Sequence, residues 1–132
     1  IYEEILGVRS EVELQDVGWI DDIAPVLQST NILLLPSLDE GVPNVVQEAM
    51  SYGVVVVASD VGGISEVIKD GTNGFIIPQG SDYTIWCKTI LKILSNAEKF
   101  RSVQQCAQKT AYEEFGMDHW SEQYGMLIRK NL

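Results

Sequence analysis

Residues 32–60 read ILLLPSLDEGVPNVVQEAMSYGVVVVASD. Ile32-Leu33-Leu34-Leu35 and Val54-Val55-Val56-Val57 are unbroken branched runs, the pattern of strands buried on both faces, and such strands belong to a parallel sheet. Between them, residues 43–52 have helical spacing. Pro43 suits the first helical position because its missing N–H would have found no intrahelical acceptor. Strand, helix and strand in this order imply an α/β fold whose two strands run parallel through a right-handed crossover.

Working outward, residues 12–20 and 75–77 are predicted as two further strands. The first is weakened by Gln15 and Asp16, and the second is short. Residues 21–29 and 64–69 are predicted as connecting helices, and 82–94, 97–115 and 120–130 as helices of a different, all-helical C-terminal third. Residues 69–74 form a turn cluster with glycines available for positive φ. Residues 2–7 look like the tail of a helix stopped by Gly7. A doubly wound domain rarely starts in mid-crossover, so the expectation is one domain over residues 1–132 that lacks at least one strand ahead of Ile1.

Composition narrows the function classes. The chain has 132 residues, 45% of them hydrophobic, and 19 acidic against 9 basic side chains give a formal net charge of −10. That balance argues against binding nucleic acid or docking on an anionic membrane. No apolar run is long enough for a bilayer and none has the flanks of a signal peptide, so a cytoplasmic domain without direct membrane contact is expected, with any membrane association of a parent protein left to its other domain. Cys87 and Cys106 lack metal-ligand spacing and read as free thiols. His119 has no triad around it, and Trp19, Trp86 and Trp120 read as packing residues before stacking platforms. Asp39-Glu40 alone is too little for a metal site.

The candidate site lies where the strands end. In an open α/β sheet, ligands bind beyond the carboxyl ends of the strands, where the following helices present their N-termini. If the helix starts at Pro43, Val42 stands at the capping position with no side-chain oxygen for the N–H groups of Asn44 or Val45. After the next strand, Ser59-Asp60-Val61-Gly62-Gly63 leads into the helix from Ile64, and its glycines permit close backbone approach. By contrast, Asp21 offers a good cap for its own helix. The uncapped starts are open to an anion such as a phosphate, or simply to water. Asn44 and Glu48 are four apart and share one helix face, so Glu48 could accept from a vicinal diol such as a ribose. Glu40, in the preceding loop, could do the same for a second polyol further out. One phosphate pole between two diol readers describes a nucleotide sugar, although either glutamate alone would ordinarily be a solvated charge.

Leu35-Pro36-Ser37, Glu40-Gly41-Val42-Pro43-Asn44-Val45-Val46-Gln47-Glu48-Ala49-Met50, Gly53, residues 56–63, Glu66 and residues 70–74 together resemble the C-terminal donor-binding domain of family 4 retaining glycosyltransferases, which have the two-domain GT-B fold. The resemblance is collinear over residues 17–78. It implies a Rossmann-like parallel sheet flanked by helices, the C-terminal half of a GT-B enzyme, and a donor that is a nucleotide diphosphate sugar, with no cofactor and no metal. It implies that Glu40 contacts donor-sugar hydroxyls and is the catalytic-site residue, that Glu48 contacts the ribose, that Gly41, Val42, Asn44 and Val45 lie near the sugar and the diphosphate, and that Trp19 and Ile20 lie near the nucleobase.

Departures accompany the match. The Arg/Lys pair that usually holds the pyrophosphate belongs to a segment expected before Ile1, and Lys69 comes at the wrong end of its helix to replace it. Val55 stands where a proline is common. The N-terminal acceptor domain, the implied partner, is also missing from these residues. The expected function is sugar transfer by a longer parent, the isolated chain being inactive. A nucleotide-sugar epimerase domain and a non-catalytic binding module are the alternatives.

Overall fold

The two apolar runs lie side by side. In a computed structural model, which describes residues 15–39, 41 and 43–116, β1 (Ile32–Leu35) and β2 (Val55–Ser59) pair in parallel with Ile32 opposite Val55 and Leu35 opposite Ala58. β3 (Phe75–Ile77) pairs parallel on the far side of β2, Phe75 opposite Val57. The sheet order is β1-β2-β3. Around it lie α1 (Ala24–Ser29), α2 (Asn44–Ser51), α3 (Ile64–Val67), α4 (Tyr83–Leu94) and α5 (Ala97–Phe115).

Strand alternation sorts the core into two halves. Leu33, Leu35, Val56, Ala58 and Ile76 pack with Val46, Ala49 and Met50 of α2, Ile64 and Val67 of α3, and Ala107 and Ala111 of α5. Val57 and Ile77 face the other way, where Ile93 closes over them and Ile32, Phe75, Trp86 and Phe100 pack alongside. β2 is the fully buried central strand that its valines predict. β1 is not: Leu34 is 44% exposed. It sits on the edge strand, on the face where Ile93 covers β2 and β3, and that cluster reaches Ile32 but not Leu34.

Several predicted bounds change for local reasons. Of the strand predicted at 12–20, residues 15–20 carry no strand. Gly18 adopts φ +57°, and its N–H donates to Asp16 Oδ1 at 2.9 Å, a local bond that competes with ladder pairing. The helix predicted at 21–29 begins at Ala24, whose N–H is taken by Asp22 Oδ1 at 2.9 Å, while Asp21 accepts from the Trp19 indole instead of capping. The helix predicted at 64–69 stops at Val67 because the Asn73 side chain takes over its next bonds, accepting from the Lys69 N–H at 2.7 Å and donating to the Val67 carbonyl at 3.1 Å. Gly74 follows in that turn, and a Cβ there would stand 3.0 Å from the Val56 carbonyl oxygen. α4 starts after Asp82, whose carboxylate accepts from Thr84 and Ile85, and α5 matches its predicted bounds. The helices read at 2–7 and 120–130, and the readings of His119 and Trp120, lie outside the described residues.

Candidate functional site

The carboxyl ends of β1, β2 and β3 all face one edge, so the loops that follow them meet there. α2 starts at that edge. Its N-cap is Pro43, with φ −69° and ψ 130°, and not the expected Val42. An extended ψ takes Pro43 out of the helix proper and makes Asn44 the first helical residue, while the Pro43 carbonyl accepts from the Val46 N–H at 3.0 Å. The expected absence of a side-chain cap survives the shift, since proline has no oxygen on its side chain. The first-turn N–H groups of a helix have no intrahelical acceptors, and the positive end of its dipole lies there. Asp82 caps α4 and Asn96 caps α5, whereas α1, like α2, has no side-chain cap at its N-cap residue. α3 is also uncapped at Gly63, but it is four residues long and brings little dipole with it.

Asn44 and Glu48 are both exposed on one side of α2, with Val46, Ala49 and Met50 buried on the other and Val45 half-buried between. The structure therefore puts Asn44 and Glu48 on one face as their spacing predicts, with Val45 beside them on the first turn. Glu48 also borders an open groove of about 880 Å³, whose wall continues through Gln47 and Ser51 to Gln108, Tyr112 and Phe115 of α5. Glu40 and Val42 lie outside the described residues, and Gly41, between them, is exposed. Trp19 is 92% exposed and held by its own indole bond to Asp21, and Ile20 beside it is exposed as well. Lys69 is spent on α3, its Nζ donating to the Ser65 carbonyl at 3.1 Å and the Glu66 carbonyl at 3.5 Å. Among the described residues no cluster of His, Cys, Asp and Glu could hold a metal ion, and no helix is long and apolar enough to cross a membrane.

Two contacts at this edge escaped sequence reasoning. The Gly63 N–H donates to the Gly41 carbonyl at 3.3 Å, tying the loop after β2 to the loop after β1. Gln79, just beyond β3, donates from Nε2 to the Leu38 carbonyl at 3.1 Å. The glycine pair was legible as a close-approach turn, but no sequence signal marks Gln79 as a partner of a residue 41 positions away.

The model of the family described as glycosyl transferases group 1 matches residues 2–96. The chain belongs to this family. Among its curated glycosyltransferase relatives is N-acetyl-alpha-D-glucosaminyl L-malate synthase of Bacillus anthracis, 32% identical over 124 residues, a match covering 91% of this chain and 32% of the relative. This glycosyltransferase domain thus spans about a third of that relative's length. The fold is that of solved GT-B glycosyltransferases. Anabaena HepE, solved in complex with UDP, superposes with a TM-score of 0.80 at 24% identity, over 86% of this chain and 31% of HepE. The C-terminal domain of the group 1 glycosyl transferase LpcC from Francisella tularensis superposes with a TM-score of 0.69 at 21% identity, over 76% of this chain and 53% of that one.

Proposed function

We propose that this glycosyltransferase domain binds the donor of a retaining sugar transfer, taking a nucleotide diphosphate sugar at the carboxyl edge of its sheet and presenting it to an acceptor held by another domain of a longer protein. The observation that carries the reading is the bare start of α2 at that edge, with Asn44 and Glu48 on one exposed face behind it. The fold is shared with HepE, which has been solved with UDP and with UDP-glucose.

In this reading the diphosphate sits against the first-turn N–H groups around Asn44 and Val45, with Gly41 and Val42 beside it. The Glu48 carboxylate accepts from the ribose hydroxyls. Glu40 accepts from hydroxyls of the donor sugar and orients it, and Trp19 and Ile20 lie toward the nucleobase. As the glycosidic bond breaks, negative charge grows on the leaving diphosphate. Preorganised N–H donors and the helix dipole stabilise that charge without reorganising, which is the form of catalysis this edge can supply. Neither a metal nor a cofactor is required of it. Transfer itself needs an acceptor surface and further cations, so the domain alone transfers nothing.

The test is to supply nucleotide sugars to a longer protein carrying this chain and, separately, to the isolated domain. Release of nucleotide diphosphate with an acceptor product of retained anomeric configuration by NMR, from the longer protein only, is the expected result. Inversion at C2 of the donor sugar would instead identify an epimerase, and transfer by the isolated domain would remove the acceptor-domain half of the proposal.

A further inference from the structure

A second cavity lies at the opposite edge of the sheet from the candidate site. β3 starts there at Phe75, α4 ends there at Leu94 and α5 starts there at Ala97, with a cavity of about 450 Å³ between them. Its apolar lining comes from Phe75, Ile76 and Ile93, the first two half-buried and Ile93 part of the core behind them. Ligand pockets are mostly apolar in this way and owe their selectivity to a few placed polar groups.

Those polar groups reverse the charge balance of the chain. Against a formal net charge of −10 overall, this lining carries two lysines and one carboxylate. Lys92 stands in the last turn of α4 and Lys99 in the first turn of α5, so the Ser95-Asn96 connection folds both onto one cavity. Neither ammonium group makes an ion pair or a hydrogen bond among the described residues, where the ion pair is Lys109 with Glu113. Asp70 has one oxygen engaged, Oδ1 accepting from the Ile76 N–H at 2.9 Å, and Oδ2 is left as an acceptor. Asn96 Oδ1 accepts from the Lys99 N–H at 2.9 Å, which leaves Nδ2 as a donor. Two like charges brought to one cavity repel. A doubly charged anion between them removes that repulsion and adds charge-assisted hydrogen bonds.

We propose that this cavity binds a small phosphomonoester with a hydroxylated body. The phosphate sits between Lys92 and Lys99, hydroxyls of the body donate to Asp70 and accept from Asn96 Nδ2, and its carbon skeleton lies on Phe75 and Ile76. The lone carboxylate decides the class: it disfavours a bare anion or a polyphosphate, and favours a phosphate that brings hydroxyl donors with it. The site does not depend on the donor-site reading given above. It lies at the other ends of the strands, so its occupant leaves the carboxyl edge open.

Glucose 6-phosphate, inorganic phosphate and glucose serve as probes, each titrated into the 132-residue chain at constant ionic strength and followed by calorimetry and by amide NMR shifts. Glucose 6-phosphate should bind saturably and shift the amides of Gly71, Phe75, Asn96 and Lys99. Inorganic phosphate should bind there about tenfold more weakly, and glucose should not bind measurably. Lys92→Gln and Lys99→Gln, both at exposed positions, should each weaken glucose 6-phosphate by about tenfold. Asp70→Asn keeps an acceptor for the Ile76 N–H, and it should weaken glucose 6-phosphate while strengthening inorganic phosphate. Affinity unchanged in both lysine variants would overturn the site. So would shifts confined to residues 44–46, which would put the phosphate at the start of α2, and so would shifts that sodium chloride reproduces. Equal affinity for inorganic phosphate and glucose 6-phosphate would overturn the hydroxylated body.

Discussion

Asn73 and Thr110 join the turn before β3 to the middle of α5: Asn73 Nδ2 donates to Thr110 Oγ1 at 3.3 Å across 37 residues of sequence. The same side chain accepts from the Lys69 N–H and donates to the Val67 carbonyl, and it is 2% exposed. Thr110 can accept because its own hydroxyl proton goes to the Cys106 carbonyl at 2.9 Å. One amide thus ends α3, shapes the turn and docks α5.

Asn73→Ala should therefore cost about 2 to 3 kcal/mol, since it strands buried backbone groups as well as removing bonds. Asn73→Asp should cost at least as much, because it keeps the acceptor for Lys69 but loses both donors and buries a charge. Urea unfolding of the isolated domain checks this. A midpoint unchanged in Asn73→Ala would show that water satisfies these groups as well as the amide does.

The central and the edge strand make a second contrast on one face of the sheet. Val57, fully buried between Ile77 and Ile93, should lose about 2 kcal/mol on truncation to alanine, the transfer energy of its methyls plus a cavity. Leu34 stands opposite Val57 across the β1–β2 ladder but is 44% exposed, so Leu34→Ala should cost less than about 1 kcal/mol despite removing a larger group. Thermal unfolding of both variants decides it, and equal losses would mean that Leu34 is covered in solution.

What could be read in the sequence was what local chemistry alone determines. The valine run of β2 gave a strand buried on both faces, and residues 97–115 gave α5 to its last residue, because periodicity and the Asn96 cap act within the segment. The face shared by Asn44 and Glu48 followed from their spacing. Where the expectation failed, a contact that periodicity does not register intervened. Asn73 ended α3 two residues early, Asp16 drew residues 15–20 out of strand geometry, and Leu34 was left exposed by the reach of α4, which no window around residue 34 encodes. The bond from Gln79 to the Leu38 carbonyl belongs to the same class: it is a contact made by the sheet's topology.

Glu48 gives a prediction on binding. Its exposed place on α2, one turn behind Asn44, suits a carboxylate that accepts from a ribose diol. In a longer protein carrying the chain, Glu48→Ala should weaken nucleotide diphosphate and nucleotide sugar alike, by about tenfold or more. Calorimetry that finds nucleotide affinity unchanged would assign the ribose to another residue.

Glu40→Gln should separate sugar recognition from nucleotide recognition. The residue lies in sequence between the two pinned carbonyls of Leu38 and Gly41, ahead of the Pro43 cap and therefore beyond the helix start that takes the diphosphate in the proposed site. Nucleotide diphosphate binding should stay nearly intact in the variant. Turnover should fall by about a hundredfold, because a sugar held without its charged acceptor loses the orientation on which transfer depends. Glutamine keeps one acceptor oxygen and nearly the same volume, so the loss reports on charge and geometry more than on packing. The measurement is a pair: calorimetry with nucleotide diphosphate, and initial rates with nucleotide sugar and acceptor. If nucleotide affinity fell in proportion to turnover, Glu40 would belong to the phosphate or ribose subsite, and the order of sugar, diphosphate and ribose along this edge would have to be reversed.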